Sequence, residues 1–261
     1  MSEPLPAPLR RERMLELIGR AGFARVAELS EAFQVSDVTV RSDLDALDAQ
    51  QSIRRVHGGA VLRTGGVREA SFEEALESSA DEKRWIGETA AALVASGSSV
   101  LLDVGTTTAA IARALADRDD LEDVTVITNG LTIALELERA IPRFQVVVTG
   151  GTLRPLQHSL VEPLAAVLLE RMHADLAFIG CTGVHPTGGI TNVNLPEADL
   201  KRVMVGSATR AIVVADGSKL GRTHLGRIAA VDEVAGLITG DSATPDALAG
   251  IRDTGLPVTV A

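Results

Sequence analysis

The sequence runs to 261 residues, 46% hydrophobic and 23% charged, which is enough apolar material for a sizeable core and excludes compositional disorder. The single cysteine, Cys181, excludes a disulfide scaffold and an all-cysteine zinc site, and the one long uncharged stretch, 176–196, is too broken by glycine and proline to span a membrane. The net charge of −10 lies entirely in residues 64–261, whereas residues 1–63 balance nine arginines against nine acids, so the overall acidity does not exclude a nucleic-acid partner for the first part.

The opening MSEPLPAPLRRERM has prolines and charges where a secretory signal needs an apolar run, which together with the lone cysteine fits a cytoplasmic protein. From 9 to 22, Met14, Leu15, Leu17 and Ile18 recur at helical spacing, with Gly22 as the stop. A short helix over 26–33 carries Leu29 and Phe33. Gln34-Val35-Ser36 then makes a turn with Ser36 as N-cap, and DVTVRSDLDAL continues as a helix with Val40, Leu44 and Leu47 on one stripe. With small Ser30 at the crossing, this is a helix-turn-helix. The alternation Ser52-Ile53-Arg54-Arg55-Val56-His57, the turn Gly58-Gly59 and the return Ala60-Val61-Leu62 read as a two-stranded wing. Residues 1–63 are thus one small domain, and the polar, acid-rich 64–82 a linker with some helix in its second half.

Over 83–261, strands expected at 100–104, 124–128, 145–149, 176–179, 211–215 and 236–239 alternate with helices near 84–95, 107–118, 131–140, 160–172 and 196–209. Strand then helix, repeated, predicts an α/β domain on a mainly parallel sheet, whose ligands bind outside the carboxyl ends of the strands.

Four groups of residues are candidates for chemistry. Thr39, Arg41, Ser42 and Asp43 on the exposed side of the third helix, with Arg54, Arg55 and His57 on the wing, suit base edges and phosphates, although a solvated helix beside a hairpin would look the same. Asp103-Val104-Gly105-Thr106-Thr107-Thr108 follows a strand and opens a helix, which suits a phosphate cradle or an ordinary turn with threonine caps. Thr128-Asn129-Gly130 and Thr149-Gly150-Gly151-Thr152 suit a polyol or phosphate, and plain turn chemistry equally. Glu197 and Lys201, four apart on a helix, read by themselves as a solvent-face ion pair. Against that, Lys83, Lys201 and Lys219 are the only lysines beside 22 arginines, and Asp216-Gly217-Ser218-Lys219 sets another after a strand. The five histidines form no metal-ligand spacing, no cofactor motif occurs, and Cys181 reads as a small buried hydrophobe.

The stretches VSDVTVRSDLDAL and IRRVHGGAV, followed in order by LLDVGTTTAAIARAL, VITNGLTIALEL, VVVTGGTLRP, SLVEPLAA, DLAFIG, GGITNVNLPEADLKRVM and VVADGSKLGR, resemble the DeoR/GlpR-type bacterial transcriptional regulators over nearly the whole chain. The resemblance implies a winged helix-turn-helix repressor of a sugar-metabolism operon, with a sensor domain similar to ribose-5-phosphate isomerase that binds a phosphorylated sugar. On that likeness Ser36, Thr39, Arg41, Ser42, Arg54, Arg55 and His57 would face double-stranded operator DNA. Lys83, Asp103, Gly105, Thr106, Thr107, Thr108, Asn129, Gly151, Glu197, Lys201, Asp216 and Lys219 would line the effector pocket of a homo-oligomer. Two departures stand out: Arg41-Ser42-Asp43 where the family usually has Arg-Arg-Asp, and Gln50-Gln51-Ser52 where a glycine usually leads into the wing. The expected protein is not an enzyme. Its rivals are a phosphosugar aldose-ketose isomerase, with Glu197 as general base and Lys219 stabilising the enediolate, and a metabolite-binding module without DNA binding.

Overall fold

A computed structural model describes residues 5–21, 23–49, 53–56, 58–62 and 69–261, and the chain divides into two compact units, Met1–Arg68 and Glu69–Ala261. The first contains α1 (Ala7–Ala21), β1 (Phe23–Arg25), α2 (Val26–Phe33), α3 (Asp37–Ala49), β2 (Ile53–Val56) and β3 (Gly59–Leu62). Met14 and Ile18 from α1, Leu29 from α2, Val40, Leu44 and Leu47 from α3 and Ile53 from β2 are withdrawn from water in one cluster. Each such side chain contributes about 1.5–3 kcal/mol, so this stripe-to-stripe packing holds the three helices. The turn between α2 and α3 closes because Gln34 adopts a left-handed conformation (φ 52°) and Ser30 Oγ donates to the Val35 carbonyl at 2.6 Å. Gly22, the expected stop of α1, and the departure at Gln50-Gln51-Ser52 lie outside the described residues.

β1 was not expected. Its three residues pair antiparallel with β3, giving the order β1-β3-β2, and three residues are too few to show a period. The third strand explains Gly59: a Cβ there would lie 2.2 Å from the Ala24 carbonyl oxygen.

The second unit begins with α4 (Phe72–Glu77) and α5 (Ala80–Ala91). It continues through β4 (Ser99–Leu102), α6 (Thr106–Ala116), β5 (Val124–Thr128), α7 (Leu131–Leu137), β6 (Phe144–Val148), β7 (Thr152–Arg154), β8 (Ser159–Val161) and α8 (Leu164–Leu169). The remainder is β9 (Ala174–Gly180), β10 (Gly183–His185), β11 (Gly189–Asn192), α9 (Leu195–Gly206), β12 (Ala208–Ala215), β13 (Gly226–Ala229), β14 (Gly236–Thr239), α10 (Pro245–Arg252) and β15 (Val258–Val260). Seven strands form one parallel sheet in the order β15-β14-β12-β9-β4-β5-β6. Side chains alternate across it: Val100, Leu102 and Phe178 join the cluster that includes Ile86, Ile111 and Leu115, while Leu101, Ala177 and Ile179 join Leu200, Met204 and Leu237 on the other face. Helices therefore cover both faces, as a parallel sheet requires.

The chain builds outward from β4 through β5 to β6, then restarts at β9 on the other side of β4 and continues through β12 and β14 to β15. The loops after β4 and β9 consequently diverge, leaving a crevice at their carboxyl ends. Around that end stand two small accessory sheets, β7-β8 and β10-β11-β13. Of the expected linker, residues 69–82 pack into this unit: Ser71 caps α4 by accepting from the Glu74 amide, and Phe72 is buried in the core. The helix expected from 160 starts only at Leu164, because 159–161 pairs as β8. Among the described residues no helix is long and apolar enough to cross a membrane.

Candidate functional site

On the first unit, α3 turns Val38, Arg41, Ser42 and Asp45 to solvent at the i, i+3, i+4, i+7 spacing of one helix face. Ser36 caps this helix: its Oγ accepts from the Thr39 amide at 3.2 Å and lies 2.9 Å from Thr39 Oγ1. Val38, which sequence reasoning assigned to no role, is 74% exposed on that stripe. Asp43 corrects an expectation. It is not on the exposed face but buried, accepting from Arg10 Nε at 2.6 Å and Arg11 Nε at 2.8 Å, and so ties α1 to α3. Arg55 folds back on α3, pairing with Asp45 and donating to the Arg41 carbonyl at 3.2 Å. Arg54 is a backbone position of β2 with its side chain outside the described residues, as is the whole of His57.

The second cluster lies where the central strands end. Asp103, directly after β4, is fully buried; its Oδ2 accepts from the Gly180 amide at 2.9 Å and from Lys201 Nζ, and its Oδ1 has no partner among the described residues. Burial pushes the Asp103 carboxyl above its ordinary value, against the pull of Lys201. Desolvation works against the Lys201 ammonium too, but Asp103 and Glu197 outweigh it and hold its pKa above the ordinary value, so this lysine stays charged. Glu197 and Lys201 are thus no solvent-face pair: both are buried, and α9 presents them inward. The start of α9 is fixed by Asn194, whose Oδ1 accepts from the Glu197 amide at 3.1 Å. Glu197 Oε1 accepts from Arg154 at 2.6 Å and from Ser159 Oγ at 2.8 Å.

Gly105, with φ 134°, opens α6, and Thr106 and Thr108 are buried there; Thr108 Oγ1 donates to the Gly105 carbonyl at 2.9 Å, while Thr107 stays partly exposed. Asn129 is buried after β5, its amide donating to the Leu160 carbonyl at 3.2 Å and its Oδ1 unpartnered among the described residues. Gly151 supports the site from below: with φ 126°, a Cβ on it would lie 2.2 Å from the Val161 carbonyl oxygen, so it lets β7 approach β8. Asp216, after β12, caps the next turn by accepting from the Ser218 amide at 3.1 Å, and Lys219 Nζ stands 3.9 Å from it. Lys83 is buried, and its Nζ donates to the carbonyls of Ala75 at 2.5 Å and Ser78 at 2.6 Å; desolvation lowers its pKa against the field of Asp216. Burial pushes the Cys181 thiol up to about 12, so it is no nucleophile at neutral pH. A cavity of about 800 Å³ between α5 and α6 reaches Lys83 and Thr106, with Arg84, Arg113 and Arg118 also along it.

Sequence reasoning missed four participants. Arg154, at the end of β7, makes a double contact with the Glu69 carboxylate as well as reaching Glu197. Ser159 holds Glu197, and Glu82 accepts from the Gly217 amide at 2.9 Å and from Ser242 Oγ, joining α5 to the loops after β12 and β14. None of these four sits in a spacing that marks chemistry; the sole hint is that Arg154 closes the glycine-rich run VVVTGGTLR.

A winged helix-turn-helix in one chain with a parallel α/β unit that gathers buried charge at its strand ends defines a DNA-binding transcriptional regulator with a ligand-sensing domain. Residues 10–65 match the family model of the DeoR-like helix-turn-helix domain, and residues 78–241 that of the DeoR C terminal sensor domain. The chain is 32% identical over 252 residues to the HTH-type transcriptional regulator GolR of Listeria innocua, covering 97% of this chain and 98% of that protein. It is 29% identical over 228 residues to the Glycerol-3-phosphate regulon repressor of Escherichia coli, covering 86% and 88%. Among solved structures it is similar to ribose 5-phosphate isomerase A from Methanocaldococcus jannaschii, with a TM-score of 0.41, 20% identity and coverage of 54% and 55%. The chain belongs to the DeoR family of transcriptional regulators.

Proposed function

We propose that this protein represses a sugar-metabolism operon in the cytoplasm, as a homo-oligomer whose paired α3 helices and wings engage operator half-sites, and that a phosphorylated sugar bound at the strand ends of the second unit changes its operator affinity. The observation that carries the reading is the convergence of all three lysines. In a chain that otherwise uses arginine, Lys83 and Lys219 share the field of Asp216, and Lys201 and Lys219 both act on Cys181. Compact ammonium groups beside the amides that open α6 suit a phosphate and hydroxyls. The E. coli relative is a glycerol-3-phosphate regulon repressor by name, which supports a phosphorylated effector. For an isomerase, Glu197 would have to serve as a free base, whereas its Oε1 already accepts from Arg154 and Ser159. A non-enzymatic role is therefore the better reading.

The ligand shifts the regulator only if it binds the two operator-affinity states unequally, with coupling of about 1–3 kcal/mol as is usual for allostery. The test is fluorescence anisotropy of the full chain on DNA from upstream of its own gene, with competitor DNA, at two salt concentrations, against a panel of sugar phosphates. Specific binding that survives competitor and is reversed by one metabolite is the expected result. Absence of specific binding together with turnover of a sugar phosphate would transfer the assignment to an isomerase.

A further inference from the structure

The segment that begins the second unit, Glu69 to Ser78, satisfies two cationic side chains at the strand-end cluster. Glu69 meets Arg154 with both carboxylate oxygens, and the Ala75 and Ser78 carbonyls take the Lys83 ammonium. The same segment is pinned beside Arg154 by three further contacts. Gln157 Nε2 donates to the Ala70 carbonyl at 2.5 Å, the His158 ring lies 3.2 Å from the Glu73 carboxylate, and the Phe72 and His158 rings are 5.3 Å apart. Arg154 is the hinge of this arrangement, because Nη1, one of the two nitrogens that meet Glu69, also donates to Glu197, which lies in the field of Lys201 and Asp103. A side chain only 18% exposed, with a planar fork of donors, is a built oxyanion receptor, and its occupant here is a carboxylate of the protein itself.

We infer that Arg154 is an effector-recognising residue and that Glu69 is its internal occupant, which an anionic group of the sugar phosphate must displace. This rests on the strand-end cluster being the effector site. Glu69 is the first residue of the second unit, so displacing it frees the chain at the point where it arrives from the DNA-binding unit. An effector that binds only after Glu69 leaves has its apparent affinity reduced by the fraction of molecules in which Arg154 is vacant. Removing the negative charge of Glu69 raises that fraction. The contact thereby selects ligands: a neutral sugar cannot compete for Arg154, and a phosphorylated one can.

The experiment is calorimetric titration of the full chain with glycerol 3-phosphate, fructose 1-phosphate, fructose 6-phosphate and ribose 5-phosphate, for the wild type, Glu69→Gln and Glu73→Gln. Glu69→Gln is expected to bind whichever probe the wild type binds at least fivefold tighter, or to bind one that the wild type does not. Glu73→Gln, which loosens the same segment without vacating Arg154, is expected to match the wild type. A wild type that binds a probe while Glu69→Gln binds it equally or more weakly overturns the inference and leaves the effector reading standing. An equal gain in both variants overturns it as well, since general loosening would then suffice. If no probe binds any of the three, both the inference and the effector reading fall. Hydrogen exchange over residues 70–78 gives a second readout in the wild type: saturating probe is expected to speed it, and slower exchange contradicts displacement.

Discussion

Asp103 and Lys201 are 98 positions apart in sequence and both withdrawn from water, so each depends on the other for neutralisation. Removing one partner of such a pair leaves an uncompensated buried charge and costs about 3–5 kcal/mol, whereas replacing both with apolar groups is near neutral. Lys201→Met is accordingly expected to destabilise the second unit by ~3 kcal/mol in urea unfolding, and adding Asp103→Leu to recover most of the loss. Glu69 offers a pH test. Burial holds its pKa above the ordinary carboxylate value, so the folded state takes up its proton more readily than the unfolded chain. Its contribution to stability is full below the ordinary carboxylate pKa and is lost as pH rises through the elevated one. Thermal melts from acid toward neutral pH should therefore show the wild type losing stability relative to Glu69→Gln as pH rises, and a constant difference would contradict the burial argument. On α3, exposed Val38 suits a thymine methyl in the major groove. Val38→Ala is expected to weaken operator binding by about 1 kcal/mol, and substituting deoxyuridine at the contacted position should weaken the wild type but not the variant.

The β7-β8 hairpin carries Arg154 and Ser159, and it exists because Gly151 has no Cβ to strike the Val161 carbonyl. Gly151→Val should splay the hairpin and lose effector binding while circular dichroism of the main sheet stays near wild type; retained binding would show that the hairpin is dispensable. Elements of this size explain what sequence reading captures. The sequence anticipates α2 residue for residue and all six expected sheet strands to within a few residues, because each shows a helical period or an apolar run between turns. β1, β7, β8, β10, β11 and β13 have three or four residues each without an apolar run of strand length, and β1 and β13 pair with strands distant in sequence, so no local signal marks them. The site divides in the same way. Asp103 and Lys219 announce themselves by following strands, and Lys201 by its rarity, whereas Glu69 and Glu82 are two acids among many in an acid-rich stretch whose roles come only from what folds against them. Asp43 was misplaced for the complementary reason: it neighbours exposed Ser42 in sequence, yet the 100° step of a helix turns it inward to Arg10 and Arg11.

At the scale of the molecule, two units with separate cores are expected to unfold as two transitions rather than one. A ligand stabilises only the unit it binds, by about 2.7 kcal/mol at one hundred times its Kd. In scanning calorimetry the effector should shift the transition of the second unit and operator DNA that of the first; a single transition moved equally by both would mean that the units fold as one. The burial of Phe72 beneath the sheet has a practical side for protein engineering. A sensor fragment cut at Lys83, where composition alone sets the boundary, would discard Phe72 and strip Lys83 of both its carbonyl acceptors, leaving a desolvated ammonium with nothing to hold it. Hybrids that graft this sensor onto another DNA-reading head therefore need their splice upstream of Glu69, so that the donor's whole N-terminal segment travels with the sensor it helps to build.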